Sequence, residues 1–86
     1  MTNEKLKGLI EKELRANNVR NDAAIDYTQH GNGYSVCVQV PHTRLDSGWT
    51  EYSLPVCFAV YGIQTEDRIK SIIRDFFRFY KHLVNK

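Results

Sequence analysis

Two cysteines, two prolines, one tryptophan and one methionine are all that 86 residues hold of these types, and 12 Lys and Arg nearly cancel 10 Asp and Glu. Each scarcity removes something. Cys37 and Cys57 have no second cysteine or histidine at ligand spacing, so there is no zinc motif and no metal is expected. A net charge of +2 is too small to point to nucleic acid by itself. No apolar run approaches the roughly 20 residues of a membrane span. The opening stretch MTNEKLKGLIEKEL carries acids and lysines throughout and lacks the apolar centre of a secretory signal. The expectation is a soluble, cytoplasmic chain with no membrane partner. No phosphate-binding glycine loop, nucleophile elbow or metal-ligand motif occurs, and no cofactor is expected.

The cysteines leave two readings. Both lie in stretches that read as strands, and they can bond only if those strands are adjacent and in register. Otherwise they are reduced thiols, the plainer reading for a cytosolic chain.

What is present suits one small globular domain, residues 1–86. Apolar residues make up 42% and charged residues 26%, ordinary values for a folded chain. A domain this short buries only about 60–65% of its unfolded surface, so its core is small.

Leu6, Leu9, Ile10 and Leu14 recur at helical spacing after a cap at Thr2 or Asn3. Asn17 and Asn18 supply the stop. Ile25 and Tyr27, then Tyr34, Val36, Val38 and Val40, alternate with polar residues on either side of Gly31-Asn32-Gly33. That is the pattern of an antiparallel hairpin. A third strand region follows, WTEYSLPVCFAVYG, with Tyr52, Leu54, Val56, Phe58 and Val60 on one parity. Pro55 makes it either one bent strand or two short ones.

The last segment is a helix capped by Thr65, with Glu66 and Asp67 in its first turn. At about 100° per residue, Ile69, Ile72, Ile73, Phe76, Phe77, Phe79, Tyr80, Leu83 and Val84 fill one arc. Lys70, Arg74, Arg78, Lys81 and His82 fill the opposite one. The predicted architecture is α+β, in the order α-β-β-β-α. It is a two-layer sandwich of three or four antiparallel strands with both helices on one face.

This element order is similar to that of double-stranded RNA-binding domains, which grip phosphates with a Gly- and Lys-rich motif opening the last helix. Here that position reads GIQTED, residues 62–67, with two acids and no lysine. The likeness is one of topology and implies no function.

Three surfaces are candidates. The open face of the sheet would present Cys37, Gln39, Trp49, Cys57, Ala59 and Tyr61, a set fairly apolar for solvent, which points to a partner protein or a second copy. The loop 42–50 places His42, Arg44, Asp46 and Trp49 beside it, and Arg and Trp are frequent interface anchors. The row Lys70, Arg74, Arg78 and Lys81 could follow a phosphate backbone. Its ordinary reading is the solvated back of a core helix, diluted by Asp67 and Asp75.

Catalysis has little support. His30 and His42 end different strands at opposite ends of the hairpin, His82 lies on the outer helix face, and no nucleophile–base pairing is evident. The expectation is therefore a non-enzymatic binding protein. It is of the inhibitor or adaptor type that phages and mobile elements encode, acting by protein–protein contact through His42, Arg44, Asp46, Trp49 and Tyr61, with homodimerisation open. The alternative is a nucleic-acid binder using the basic helix face.

Overall fold

Thr2 precedes the first helix, α1 (Asn3–Ala16), and its Oγ1 accepts a hydrogen bond from the Lys5 N–H at 3.3 Å. The computed structural model describes residues 1–44 and 48–85, without the side chains of Thr43 and Arg44. Leu6, Ile10 and Leu14, four residues apart, are the buried stripe of α1. The helix stops as expected at the asparagine pair, where Asn18 takes the left-handed φ of 63°.

Strands β1 (Ala24–His30) and β2 (Gly33–Gln39) pair antiparallel in unbroken register from Ala24 opposite Gln39 to His30 opposite Gly33. Their two-residue loop is Gly31-Asn32. Only Gly31 has a positive φ, 54°, as in the hairpin turn that takes glycine first. The alternation holds: Tyr34, Val36 and Val38 are buried, and Val40 just beyond the strand joins them.

The region after Val40 is more elaborate than expected. β3 (Pro41–Arg44) and β4 (Thr50–Tyr52) pair with each other as a separate two-stranded sheet, and β5 (Val56–Tyr61) then returns to β2. The stretch around Pro55 is thus two short strands in two sheets. Pro55 has no N–H to give a ladder, and the chain changes sheets between Tyr52 and Val56. The parity restarts there. Leu54, assigned to the inner face on the assumption of continuity, is instead 86% exposed. The base of the excursion is tied by the Ser53 N–H donating to the Val40 carbonyl at 2.8 Å and the Val40 N–H donating to Ser53 Oγ at 3.1 Å.

The main sheet therefore has the order β1-β2-β5, wholly antiparallel, with β2 in the middle. The second helix, α2 (Glu66–Phe79), is capped by Thr65, whose Oγ1 accepts from the Arg68 N–H at 3.1 Å. α1 packs on β2, α2 on β5, and the helices touch each other, so both cover the same face. This is the α+β sandwich expected from the sequence.

The core is where these layers meet. Ile69, Ile73, Phe76 and Phe77 of α2 are buried with Val36, Val38, Phe58 and Val60 of the sheet and the α1 stripe. The Phe58 and Phe76 rings lie 4.8 Å apart, centroid to centroid, at a tilt that aromatic pairs favour.

The helical projection of the last segment fails at its end. α2 stops at Phe79, Tyr80 leaves helical geometry (φ −100°, ψ 69°), and Lys81–Leu83 form a 3-10 turn. Phe79, placed on the apolar arc, is 78% exposed, and Lys81 drops out of the helical row. Leu83 is still fully buried, because the tail folds back on the segment after α1. The Arg20 N–H donates to the Leu83 carbonyl and the Asn85 N–H to the Asn18 carbonyl, both at 2.9 Å.

Cys37 and Cys57 face each other across β2 and β5 and are joined by a disulfide. The condition set by their spacing is met, and the reading as reduced thiols gives way. Their Cα atoms are 4.1 Å apart, close to the spacing of cross-strand pairs that exchange no backbone hydrogen bonds. The backbone N–H and C=O of Cys57 therefore point to the free edge of β5. The same holds two pairs further on, where the outward Tyr61 N–H is taken by Gln64 Oε1 at 2.8 Å.

This packing fixes the expected outcome of four changes. Phe76→Ala should cost about 3–5 kcal/mol in urea unfolding, and Ile73→Asp, which forces a carboxylate among fully buried neighbours, should leave no folded monomer by circular dichroism. A folded Ile73→Asp chain would refute the assigned core. Gly33 lies under the Tyr61 ring: a methyl there would collide with that ring and sit 2.7 Å from the Val60 carbonyl oxygen. Gly33→Ala should therefore destabilise by about 1–3 kcal/mol, and the double variant with Tyr61→Ala should recover part of that loss. Finally, the disulfide spans 20 residues. Replacing both cysteines by serine should lower unfolding free energy by about 3 kcal/mol, the loop-closure value for that length.

Candidate functional site

The open face of the sheet is the parity opposite the core. Register places Asp26 and Thr28 of β1, Ser35, Cys37 and Gln39 of β2, and Cys57, Ala59 and Tyr61 of β5 on it. It is less apolar than expected. Its apolar part is the disulfide, Ala59 and Tyr61, which is 43% exposed and covers Gly33. β1 contributes Asp26 and Thr28, two exposed polar side chains that the reading from the third strand region left out. Trp49 does not belong to this face. It precedes β4 and lies on the β3–β4 excursion, which joins the main sheet only at its base.

That excursion and its exit carry three of the exposed large apolar side chains, while Ile63 and Phe79 are exposed elsewhere. Trp49 is 75% exposed, Tyr52 42%, and Leu54 stands clear of the core. β3 and β4 are four and three residues long and pair chiefly with each other. A two-stranded ribbon with so little packing is only marginally stable in water. His42 lies at a register irregularity between Pro41 and Thr43, and its Nε2 is 3.9 Å from Glu51 Oε1 across the ribbon. Arg44 ends β3, and its side chain lies outside the described residues, as does all of Asp46. Of the five residues singled out for protein contact, the structure thus brings His42 and Trp49 onto the ribbon with the backbone of Arg44, and sets Tyr61 on the main sheet.

Leu54, Tyr52 and Phe79 were missed as surface residues. All three were assigned inward by parity or projection. The available signal was Pro55 for the first two. For Phe79 it was the arc itself: at about 100° per residue Phe79 lies at its edge, whereas Tyr80 lies near its middle and packs against the core.

The basic row is weaker than its spacing suggests. Lys70 Nζ is 3.5 Å from Glu66 Oε1, one turn earlier. Arg74 lies 3.9 Å from Asp75 and donates to Ser71 Oγ at 3.2 Å. Arg78 is exposed on α2, and Lys81 sits in the 3-10 turn. Exposed pairs such as these contribute little to stability, but they answer part of the charge a phosphate would need.

A shallow depression of about 480 Å³ lies between α1 and the start of α2, lined by Met1, Lys5, Gly8, Leu9, Lys12 and Glu66. It contains none of the candidate residues. Among the described residues, no three His, Cys, Asp or Glu side chains are grouped to hold a metal ion. No helix is long and apolar enough to cross a membrane. Compared with protein-family models, curated proteins and solved structures, the chain matches none.

Proposed function

We propose that the protein is a small binding module of the inhibitor or adaptor type, without catalytic activity, that acts by docking on another protein. The observation that carries this reading is the β3–β4 ribbon. Trp49 and Tyr52 are held out in solvent on an element too small to be stable on its own account, and Leu54 is exposed on the connection that follows it. A partner that covers them would desolvate large apolar side chains and order the ribbon together. His42, Arg44 and Asp46 give that contact its polar rim. The open sheet face, with Tyr61, is the adjoining part of the surface. A second copy of the chain is a partner of the same kind, supported by the unpaired edge of β5.

The cytoplasmic location remains part of this proposal. The cross-strand disulfide weighs against it unless the bond exchanges with cellular thiols. An origin in a phage or mobile element rests on the size of the chain alone.

Nucleic-acid binding through Lys70, Arg74, Arg78 and Lys81 is the competing reading, and salt separates the two. With three or four phosphate contacts, raising salt from 50 to 200 mM should weaken binding by about 40- to 150-fold. An apolar protein interface should barely respond. The experiment is a tagged pull-down from lysate with and without nuclease. A discrete protein should survive nuclease, should be lost with Trp49→Ala and Leu54→Ser, and should be retained by Arg74→Glu with Arg78→Glu. Retention only of nuclease-sensitive material, abolished by the two Glu variants, would replace this reading with the competing one.

A further inference from the structure

We infer that the Cys37–Cys57 disulfide is a thiol-exchange site, opened by a small-molecule thiol or a protein dithiol attacking Sγ of Cys57. The inference is independent of what the ribbon binds.

Three observations carry it. The first is placement: the bond lies on the sheet face that neither helix covers, with Cys57 exposed and Cys37 half-buried. The second is direction. A thiolate must approach along the S–S axis, from behind the sulfur it attacks. Behind Cys57 lies the outer edge of β5, with which no strand among the described residues pairs. Behind Cys37 lies β1, and the residue directly opposite Cys37 there is Asp26. Cross-strand partners stand with Cβ atoms about 4.5–5.5 Å apart on one face, so an anionic attacker on that side meets a carboxylate. The third is what each sulfur leaves behind. Cys37 is on the central strand, held by β1 on its far side, so it stays in place when expelled, ready to close the bond again.

The steps balance as follows. The reductant thiolate forms a bond to Cys57 Sγ, the Cys37–Cys57 bond breaks, and Cys37 leaves as a thiolate. With Asp26 beside it, that thiolate takes up a proton from water. A second thiolate of the reductant then attacks the reductant sulfur in the mixed disulfide and releases Cys57, which is protonated in turn. The reductant leaves as a disulfide, and two electrons have passed to the protein. Oxidation by a small disulfide is the same path reversed.

The test uses the oxidised full chain and reduced glutathione. Peptide mapping first confirms the 37–57 bond, and its absence after air oxidation would overturn the inference. Reduction is then timed in the folded protein and in the same chain unfolded in urea. A bond reached only by global unfolding is slowed by at least about a thousandfold. An open exchange site should lie within about a hundredfold of the unfolded rate, and slower reduction refutes it. Acid quenching and mass spectrometry of the mixed disulfide should find glutathione mainly on Cys57; a majority on Cys37 refutes the direction of attack. The reduced chain should keep its circular dichroism spectrum and reoxidise to the same bond. If it unfolds instead, the disulfide is a structural staple and the inference fails.

Discussion

Everything in this fold is hung on one strand. Among the described residues, β2 is the strand with a neighbour on both sides, and its inner face supplies Tyr34, Val36 and Val38 to the middle of the core that both helices cover. Three strands and two helices form a single apolar layer between them, so a residue either reaches that layer or stays wet. The helices obey the same constraint. α1 buries three side chains and α2 four. A small domain has no second layer in which to place a misfit, which is why Phe79, at the edge of the apolar arc, is left in solvent while Phe77 and Tyr80 pack on the core.

What could be read from the sequence follows from the range over which each rule acts. Capping at Thr2 and Thr65, the stop at the asparagine pair, a tight turn within Gly31-Asn32-Gly33 and the alternation of β2 are all set within a few residues of chain. All were legible. The errors arise where a local period was carried across a break. Leu54 was placed on the parity of Val56, but Pro55 lies between them and the strands belong to different sheets. Lys81 and Phe79 were placed by a rotation of about 100° per residue up to and past the point where the helix stops. The pairing of Cys37 with Cys57 is of another kind. It depends on how β5 docks on β2 after an excursion through two further strands, and no periodicity within either strand encodes that register.

The same distinction separates the two candidate surfaces. A row of basic residues at helical spacing is easy to see in a sequence, but its partners are equally local. Glu66 lies one turn from Lys70, and Asp75 is next to Arg74. The row therefore arrives partly answered. The apolar residues of the ribbon have no such local answer. An exposed Trp or Leu can be covered only by something distant in sequence, and the described residues leave Trp49 75% and Leu54 86% exposed. The sequence singled out Trp49 for its residue type and neighbours; the structure adds Tyr52 and Leu54 because it shows where the sheet ends.

The disulfide and the ribbon are linked by connectivity. Residues 38–56, with both ribbon strands among them, form the loop that Cys37 and Cys57 close. While the bond is intact, the two stems of that loop are pinned side by side, and the ribbon is held to one exit from the sheet. When it is open, the stems keep only the β2–β5 ladder and the tie between Val40 and Ser53. A longer closed loop costs more entropy to order, and the cross-link removes that cost from the unfolded chain. The chemical state of one exposed bond thus bears on how firmly the chain presents Trp49 and its neighbours. The two features are coupled through stability: opening the bond returns loop entropy to the unfolded chain, and the loop it closes is the segment that carries Trp49.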